Sequence, residues 1–284
     1  MLDTVTVDVP DIATPMKERY ALRFGRVDRT LHGFLMLSFL GLALTGMPVL
    51  FSEAPWARTM ARLLGGFTAT HMAHRVFASI MMTVFLLHVG RLVVRVAVKK
   101  DYGIFWGPTS LVPQPKDLQD MYHHMRWFVG AGSKPSFDRY AYWEKFDYFA
   151  VFWGMAIIGG SGLLLWFPET FARVLPGWVF NIALLVHGEE ALLAVGFIFT
   201  IHFFNSHLRP GKFPMDMVIF TGRISEHELA HERPAEYARV RETLVDAGPP
   251  SPRSWRIGRV VGTTAVLLGL TVVGLIIYAV ASHR

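Results

Sequence analysis

The chain has 284 residues, 52% of them hydrophobic, no cysteine and a formal net charge of +6. Without thiolates it cannot ligate an iron–sulfur cluster, attach haem through C-x-x-C-H or close a disulfide, so any redox centre must be held by His or Met. Several apolar runs of about 20 residues exclude a soluble globule, and the basic residues flank those runs, where they orient a membrane protein rather than bind nucleic acid.

The opening stretch, MLDTVTVDVPDIATPMKERYALRFGR, is polar and lacks the apolar core of a signal peptide. The expectation is an arm over residues 1–30 that stays where it is made, with the first span acting as its own insertion signal. Lys17, Arg19, Arg23, Arg26 and Arg29 precede the first apolar run, Leu31 to Phe51, which carries His32 at its entrance. That basic cluster predicts a cytoplasmic N-terminus. The loop from Ser52 to Thr70 holds only Arg58 and Arg62 against Glu53 and reads as the outer side. The second span, about His71 to Val98, contains His74 and His88 and ends inside at Arg91, Arg95, Lys99 and Lys100. Its two histidines are roughly 40° from eclipsed on a helix, so they share a face.

From Asp101 to Glu144 the chain is polar and Pro-rich. Leu118, Met121, Tyr122, Met125, Phe128 and Val129 recur there at helical spacing, which predicts an amphipathic helix on the inner membrane surface with His123 and His124 on its wet side. The third span, about Lys145 to Phe167, includes GGSG at Gly159 to Gly162, where small residues admit another backbone or a flat macrocycle. After an outer loop at Pro168 to Gly177, the fourth span runs from Trp178 to His207 with His187 and His202 inside it. These lie roughly 22 Å apart along the axis and about 60° apart around it, so both face one bundle interior near opposite membrane faces. Glu190 shares nearly the same face as His187 and, being an acid inside a membrane, needs a partner or a proton. Residues 208–256 form a polar inner segment with a short helix at SEHELAHERPAEYARV, whose His227 and His231 sit on a solvated face. Arg253, Arg256 and Arg259 introduce a fifth span, Ile257 to Ala281, with no internal ionisable group. The predicted fold is all-α: a four-helix membrane bundle over 31–207 plus a fifth helix over 257–284 that ends outside.

Sorted by depth, His74 and His187 form an outer pair, while His202, His88 and His32 fall near the inner surface. Zinc or copper sites need ligands gathered around one point, whereas these residues face each other in pairs at two depths. Bis-histidine haem ligation in an apolar bundle gives an electron-transfer centre with no open position for substrate. Two non-covalent b-type haems are the predicted cofactors, the outer one on His74 and His187. His71, almost a turn nearer the surface, is read as a capping or propionate contact.

RTLHGFLMLSFLGLALTG around His32, ATHMAHRVF around His74, LLVHGEEALL around His187, FTIHFF around His202 and the tail PMDMVIFTGRISEHELAHERPAEY resemble the membrane cytochrome b subunits of formate dehydrogenases and nickel–iron hydrogenases. The resemblance covers about residues 20–240. AHRVFASI, FDRYAYWEKFDYFAVFWG, HGEEA and HFFNSHLRPGKFPM resemble a branch associated with multihaem c-type cytochromes. The additional His88 and the fifth span depart from the formate dehydrogenase pattern. The resemblance implies a quinone-linked subunit of a bacterial cytoplasmic-membrane complex. Two haems would carry electrons between menaquinone or ubiquinone and an outer partner, either a multihaem cytochrome c or an iron–sulfur protein. It also implies a quinone beside the inner haem, where Tyr140, Glu144 and Lys145 are candidates for quinone hydrogen bonds, although the same residue types serve as interfacial anchors.

His202 is one inner ligand. Spacing points to His88 as the other, because two parallel pairs then form; the resemblance points to His32, through its distance to Thr45 and Gly46. We read His32 as the axial ligand, with His88 contacting a propionate or the quinone. Two other classes remain open on sequence alone: a haem-free transporter with a histidine proton relay, and a membrane anchor whose redox chemistry lies in partner chains.

Overall fold

A computed structural model describes residues 18–282. The beginning of the expected N-terminal arm, Lys17 included, and residues 283–284 lie outside the described residues. Five helices are long and apolar enough to cross a membrane: Arg26–Leu50, Phe67–Ala97, Tyr142–Trp166, Trp178–Leu208 and Pro252–Ala281. The protein is an all-α, multi-pass membrane bundle; among the described residues the sheet consists of one pair of short strands, Tyr20–Leu22 and Arg223–Ser225.

Local chemistry sets the span boundaries. The first span begins five residues before the apolar run, because Gly25 is extended and its N–H donates to the Asp28 carboxylate at 3.2 Å. It ends two residues after Pro48. The following loop, expected to be plain, contains a helix at Pro55–Leu63 with Pro at its first position. Gly65 and Gly66, at φ 93° and 92°, then reverse the chain into the second span. The third span starts where the Ala141 N–H donates to the Glu144 carboxylate at 2.7 Å. It contains a π-turn at Met155–Gly159, and the fourth span finishes in π-turns at Ile198–His202 and Phe204–Leu208.

The first four spans form a ring. Span one packs closely along span two and span three along span four, giving two antiparallel hairpins that touch each other sparsely. Spans two and four therefore oppose each other across the seam. The densest apolar core lies elsewhere, at the junction of spans one, four and five, where Ala43, Met47, Val195, Phe199, Phe203 and Val272 are buried together. Gly269 on span five permits this approach: a Cβ there would stand 2.7 Å from the rings of Phe199 and Phe203. The fifth helix thus seals the one–four edge and stands outside the ring.

A polar cap closes the end of the bundle where spans one, three and five begin. The two strands pair antiparallel with Tyr20 opposite Ser225, over a small core of Val218, Ile224 and Leu229. Gly222 turns the chain at φ 77°, where a Cβ would meet the Phe24 carbonyl oxygen at 2.5 Å. The single helix expected over residues 225–240 is two, Glu226–Glu232 and Pro234–Val240, because Pro234 lacks an N–H and holds Arg233 out of the helical region. His227 and His231 are exposed, as their acid-rich context suggested. Buried ion pairs tie the cap together: Arg23 and Arg139 share Glu236, Arg209 holds Glu232 at 2.5 Å, and Lys212 meets Asp216 at 2.9 Å and also Glu228. The charge of Asp216 and Glu228 keeps the Lys212 ammonium above its usual range despite its burial.

The amphipathic helix is present at Pro115–Phe128, and Leu118, Met121, Tyr122, Met125 and Phe128 are exposed along it. One expectation fails there. His124 is not on the wet side: it is 7% exposed, stacks on Phe128 with ring centres 4.5 Å apart, and bonds the Tyr142 hydroxyl at 3.2 Å. Burial among Phe137, Trp143 and these rings lowers its proton affinity. The helix docks through Asp117 and His124, about 90° round the axis from the centre of the stripe that periodicity identifies, so that stripe stays exposed.

Candidate functional site

Span two supplies His74 and span four supplies His187, near the end of the bundle away from the cap. Their ring centres are 6.3 Å apart with planes at 80°. Two imidazoles on opposite sides of one metal, each with its nitrogen about 2 Å away, have ring centres about 6 Å apart. The observed spacing fits.

Both rings are held by the same device. The Thr45 hydroxyl donates to the Gly41 carbonyl at 2.6 Å, so its oxygen accepts from His74 Nδ1–H at 2.9 Å. On the other hairpin the Ser161 hydroxyl donates to the Ile157 carbonyl at 2.6 Å, and His187 Nδ1–H donates to the Ile158 carbonyl at 3.0 Å and to Ser161 at 3.3 Å. Each pattern fixes the proton on Nδ1 and leaves the Nε2 lone pair for a metal. A glycine follows each hydroxyl residue: a Cβ at Gly46 would stand 3.1 Å from His74 Cε1, and one at Gly162 would stand 3.0 Å from His187 Cε1. Bulkier residues would displace the rings. The Ser161 backbone lies just beyond the Met155–Gly159 π-turn, of a kind common at functional sites.

The cap-end level is built differently. His202 Nδ1–H donates to Asp147 Oδ2 at 2.9 Å, an orientation that again leaves Nε2 free and makes the ring a stronger donor. His32 lies within electrostatic reach of His202 and of His207. His88 stands apart from that group, with its Nε2 2.9 Å from the Tyr148 hydroxyl. Of the two residues open as the partner of His202, the arrangement therefore gathers His32. His207 belongs to this level as well, buried with Nδ1 unpartnered, as is Asp147 Oδ1. The π-turns carry His202 and His207 five residues apart toward one side, nearer than an α-helix would. Buried unpartnered polar atoms call for a ligand group or ordered water, and Asp147 Oδ1, a carboxylate oxygen, needs a donor.

The remaining candidates have other engagements. Tyr140 lies under the guanidinium groups of Arg139 and Arg23, at 5.5 and 5.7 Å. Glu144 caps its helix and pairs with Arg233 at 2.8 Å, and Lys145, 7% exposed, pairs with Asp117 at 2.9 Å. Glu144 thus ties the third span to the cap, Lys145 ties it to the Pro115–Phe128 helix, and Tyr140 lies beneath the arginines of the cap. Glu190 accepts from Trp153 Nε1 at 3.4 Å, and His71 is exposed. Among the described residues no group of three or more His, Asp or Glu is arranged to hold a metal ion.

Asp147, Tyr148 and His207 were not singled out from the sequence. Asp147 carried a signal, an acid inside an apolar run; His207 carried none, since α-helical spacing turns it away from His202. Compared with models of known protein families and with curated proteins, the chain matches none.

Proposed function

We propose that this chain is the dihaem cytochrome b subunit of a respiratory oxidoreductase, passing electrons between a membrane quinone pool and a redox partner on the opposite side of the bilayer. The observation that carries the reading is the duplicated clamp on His74 and His187. Two hairpins each contribute a hydroxyl, a glycine and an imidazole, and the imidazoles meet across a sparsely packed seam at the spacing of two axial ligands. A proton relay asks for imidazoles free to exchange protons; fixed tautomers with both Nε2 lone pairs kept open serve ligation better.

When bound, haem b supplies a one-electron couple at each level. His74 and His187 hold the outer group, with Thr45 and Ser161 keeping their protons on Nδ1. His202 and His32 hold the inner group, with Asp147 orienting His202. The levels are roughly 20 Å apart along span four. The excess of Arg and Lys at the cap end makes that end cytoplasmic, with the C-terminus periplasmic, in the cytoplasmic membrane of a bacterium. The quinone is menaquinone or ubiquinone, and the periplasmic partner is a multihaem cytochrome c or an iron–sulfur protein, as the resemblance to formate dehydrogenase and hydrogenase subunits implies.

The test is a pyridine haemochrome spectrum of the purified chain. Two haem b per polypeptide are expected; protein that folds in membranes yet carries no haem b would refute the reading.

A further inference from the structure

The two hairpins repeat one another. Thr45-Gly46 corresponds to Ser161-Gly162 and His74 to His187, and the interval from Thr45 to Ser161 is the interval from His32 to Tyr148. The repeat therefore sets two equivalent pairs at the cap end. His202 with His32 is one; His88 with Tyr148 is the other. In the second pair a phenol replaces one imidazole, which removes a haem ligand and keeps a hydrogen-bonding group.

Four features of that second pair have no use in the haem reading. First, a neutral His and a Tyr carry one polar hydrogen each, and their mutual bond of 2.9 Å consumes one, so one N–H or O–H donor remains whichever way the bond runs. Second, the pair is walled by aromatic rings: Phe152 lies 5.2 Å from Tyr148, 6.3 Å from His88 and 5.2 Å from Phe85 between ring centres. Third, spans two and three meet at the Met155–Gly159 turn and pack little between there and the cap. The pair thus bridges a thinly packed seam beside which Leu87 and Phe149 are exposed. Fourth, it lies about 10 Å inside the cap end of its spans, one helical turn from the Arg91–Asp28 ion pair, whose 2.9 Å contact reaches the polar surface.

We propose that His88 and Tyr148 form the binding site for a quinone head group, entered sideways from the bilayer. A quinone carbonyl is an acceptor and takes the spare donor; its flat ring packs against the wall that Phe152 and Phe85 form in edge contact; its isoprenoid tail stays in lipid. The site rests on the quinone-linked reading above and moves the head group away from Tyr140, Glu144 and Lys145, which are engaged with the cap and the Pro115–Phe128 helix.

The test uses the full chain in detergent and a fluorescent alkyl-hydroxyquinoline N-oxide as quinol mimic, titrated by fluorescence quenching. Because either partner alone still offers a polar hydrogen, the pair is removed together: Tyr148→Phe, which keeps the ring packed on Phe152, combined with His88→Leu should weaken binding about tenfold, the loss of one hydrogen bond, with both haems retained. Wild-type affinity in the double variant, loss of a haem in it, or weakening in Tyr140→Phe instead would overturn the assignment. So would a haem-replete wild type that binds no mimic. A wild type without haem b refutes the dihaem reading separately, so the two failures are distinguishable.

Discussion

The outer level of the bundle is made of two copies of one arrangement, whereas the inner level is made of different parts placed at equivalent positions. Outside, each imidazole is held by neutral groups: a hydroxyl whose proton is spent on the preceding turn, a main-chain carbonyl, and a glycine in contact with the ring. Inside, His202 leans on a carboxylate and His88 on a phenol, while His207 packs on Phe203 with its Nδ1 unpartnered. The inner level also adjoins a cap held by buried ion pairs. The hydroxyls and carbonyls that hold the outer imidazoles do not themselves titrate, while the carboxylate and guanidinium pairs around the inner level respond to pH and salt. The outer level suits a fixed electron relay, and the inner level suits exchange with a substrate that carries protons.

The largest effects should come from removing ligands. His74→Leu is expected to lose one of two haems, and His32→Leu the other, whereas His88→Leu should retain both. Haem quantification and low-temperature spectra check all three. Loss of the inner haem in His88→Leu alone would reverse the inner assignment and restore two parallel pairs on spans two and four.

Acid should separate the levels next. Burial pushes the Glu232 carboxyl up, but the hydrogen bond and charge of Arg209 outweigh it, holding the group down at about 2 against an ordinary 4.5. A depressed carboxylate stabilises the fold above its unfolded value, so this contribution is whole above about pH 4.5 and is lost as pH falls toward 2. Its size is about 3 kcal/mol. Proteolysis of the cap between residues 209 and 251 should therefore accelerate across that window. Glu232→Gln should show the faster cleavage already at neutral pH, and equal protection of both proteins would break the contrast between levels.

Much of the bundle is legible in the sequence because a bilayer leaves few alternatives. Apolar length marks the five spans, and a histidine in such a run stands out, so His74, His187, His202 and His32 could be sorted by depth from spacing alone. The cap resisted because its partners are distant in the chain: nothing near Arg23 announces Glu236, nor anything near Lys145 announces Asp117. Tyr140, Glu144 and Lys145 drew attention by their location, yet each is accounted for by an ion pair, a cation contact or a helix cap. His124 misled because helical periodicity identifies an apolar stripe without saying which face docks. The π-turns have no sequence signature of this kind, and His207 was hidden with them.

The smallest expected effect tests the duplication itself. Thr45→Val and Ser161→Ala each remove a hydroxyl from Nδ1 while leaving the axial Nε2 in place, so both haems should remain after purification. The two changes are not equivalent. His74 loses its 2.9 Å acceptor and keeps only a weaker interaction with the Leu42 main chain, whereas His187 keeps the Ile158 carbonyl at 3.0 Å, already shorter than its 3.3 Å contact to Ser161. Losing a group that orients a ligand costs about tenfold in metal affinity, so Thr45→Val should release the outer haem to a competing apo-haem protein about tenfold faster. Ser161→Ala should change that rate little, and the double variant should match Thr45→Val. Equal sensitivity to both substitutions would mean that the hydroxyls act as a matched pair and that the carbonyl of Ile158 contributes nothing; no sensitivity to either would mean that packing against Gly46 and Gly162 alone orients the rings.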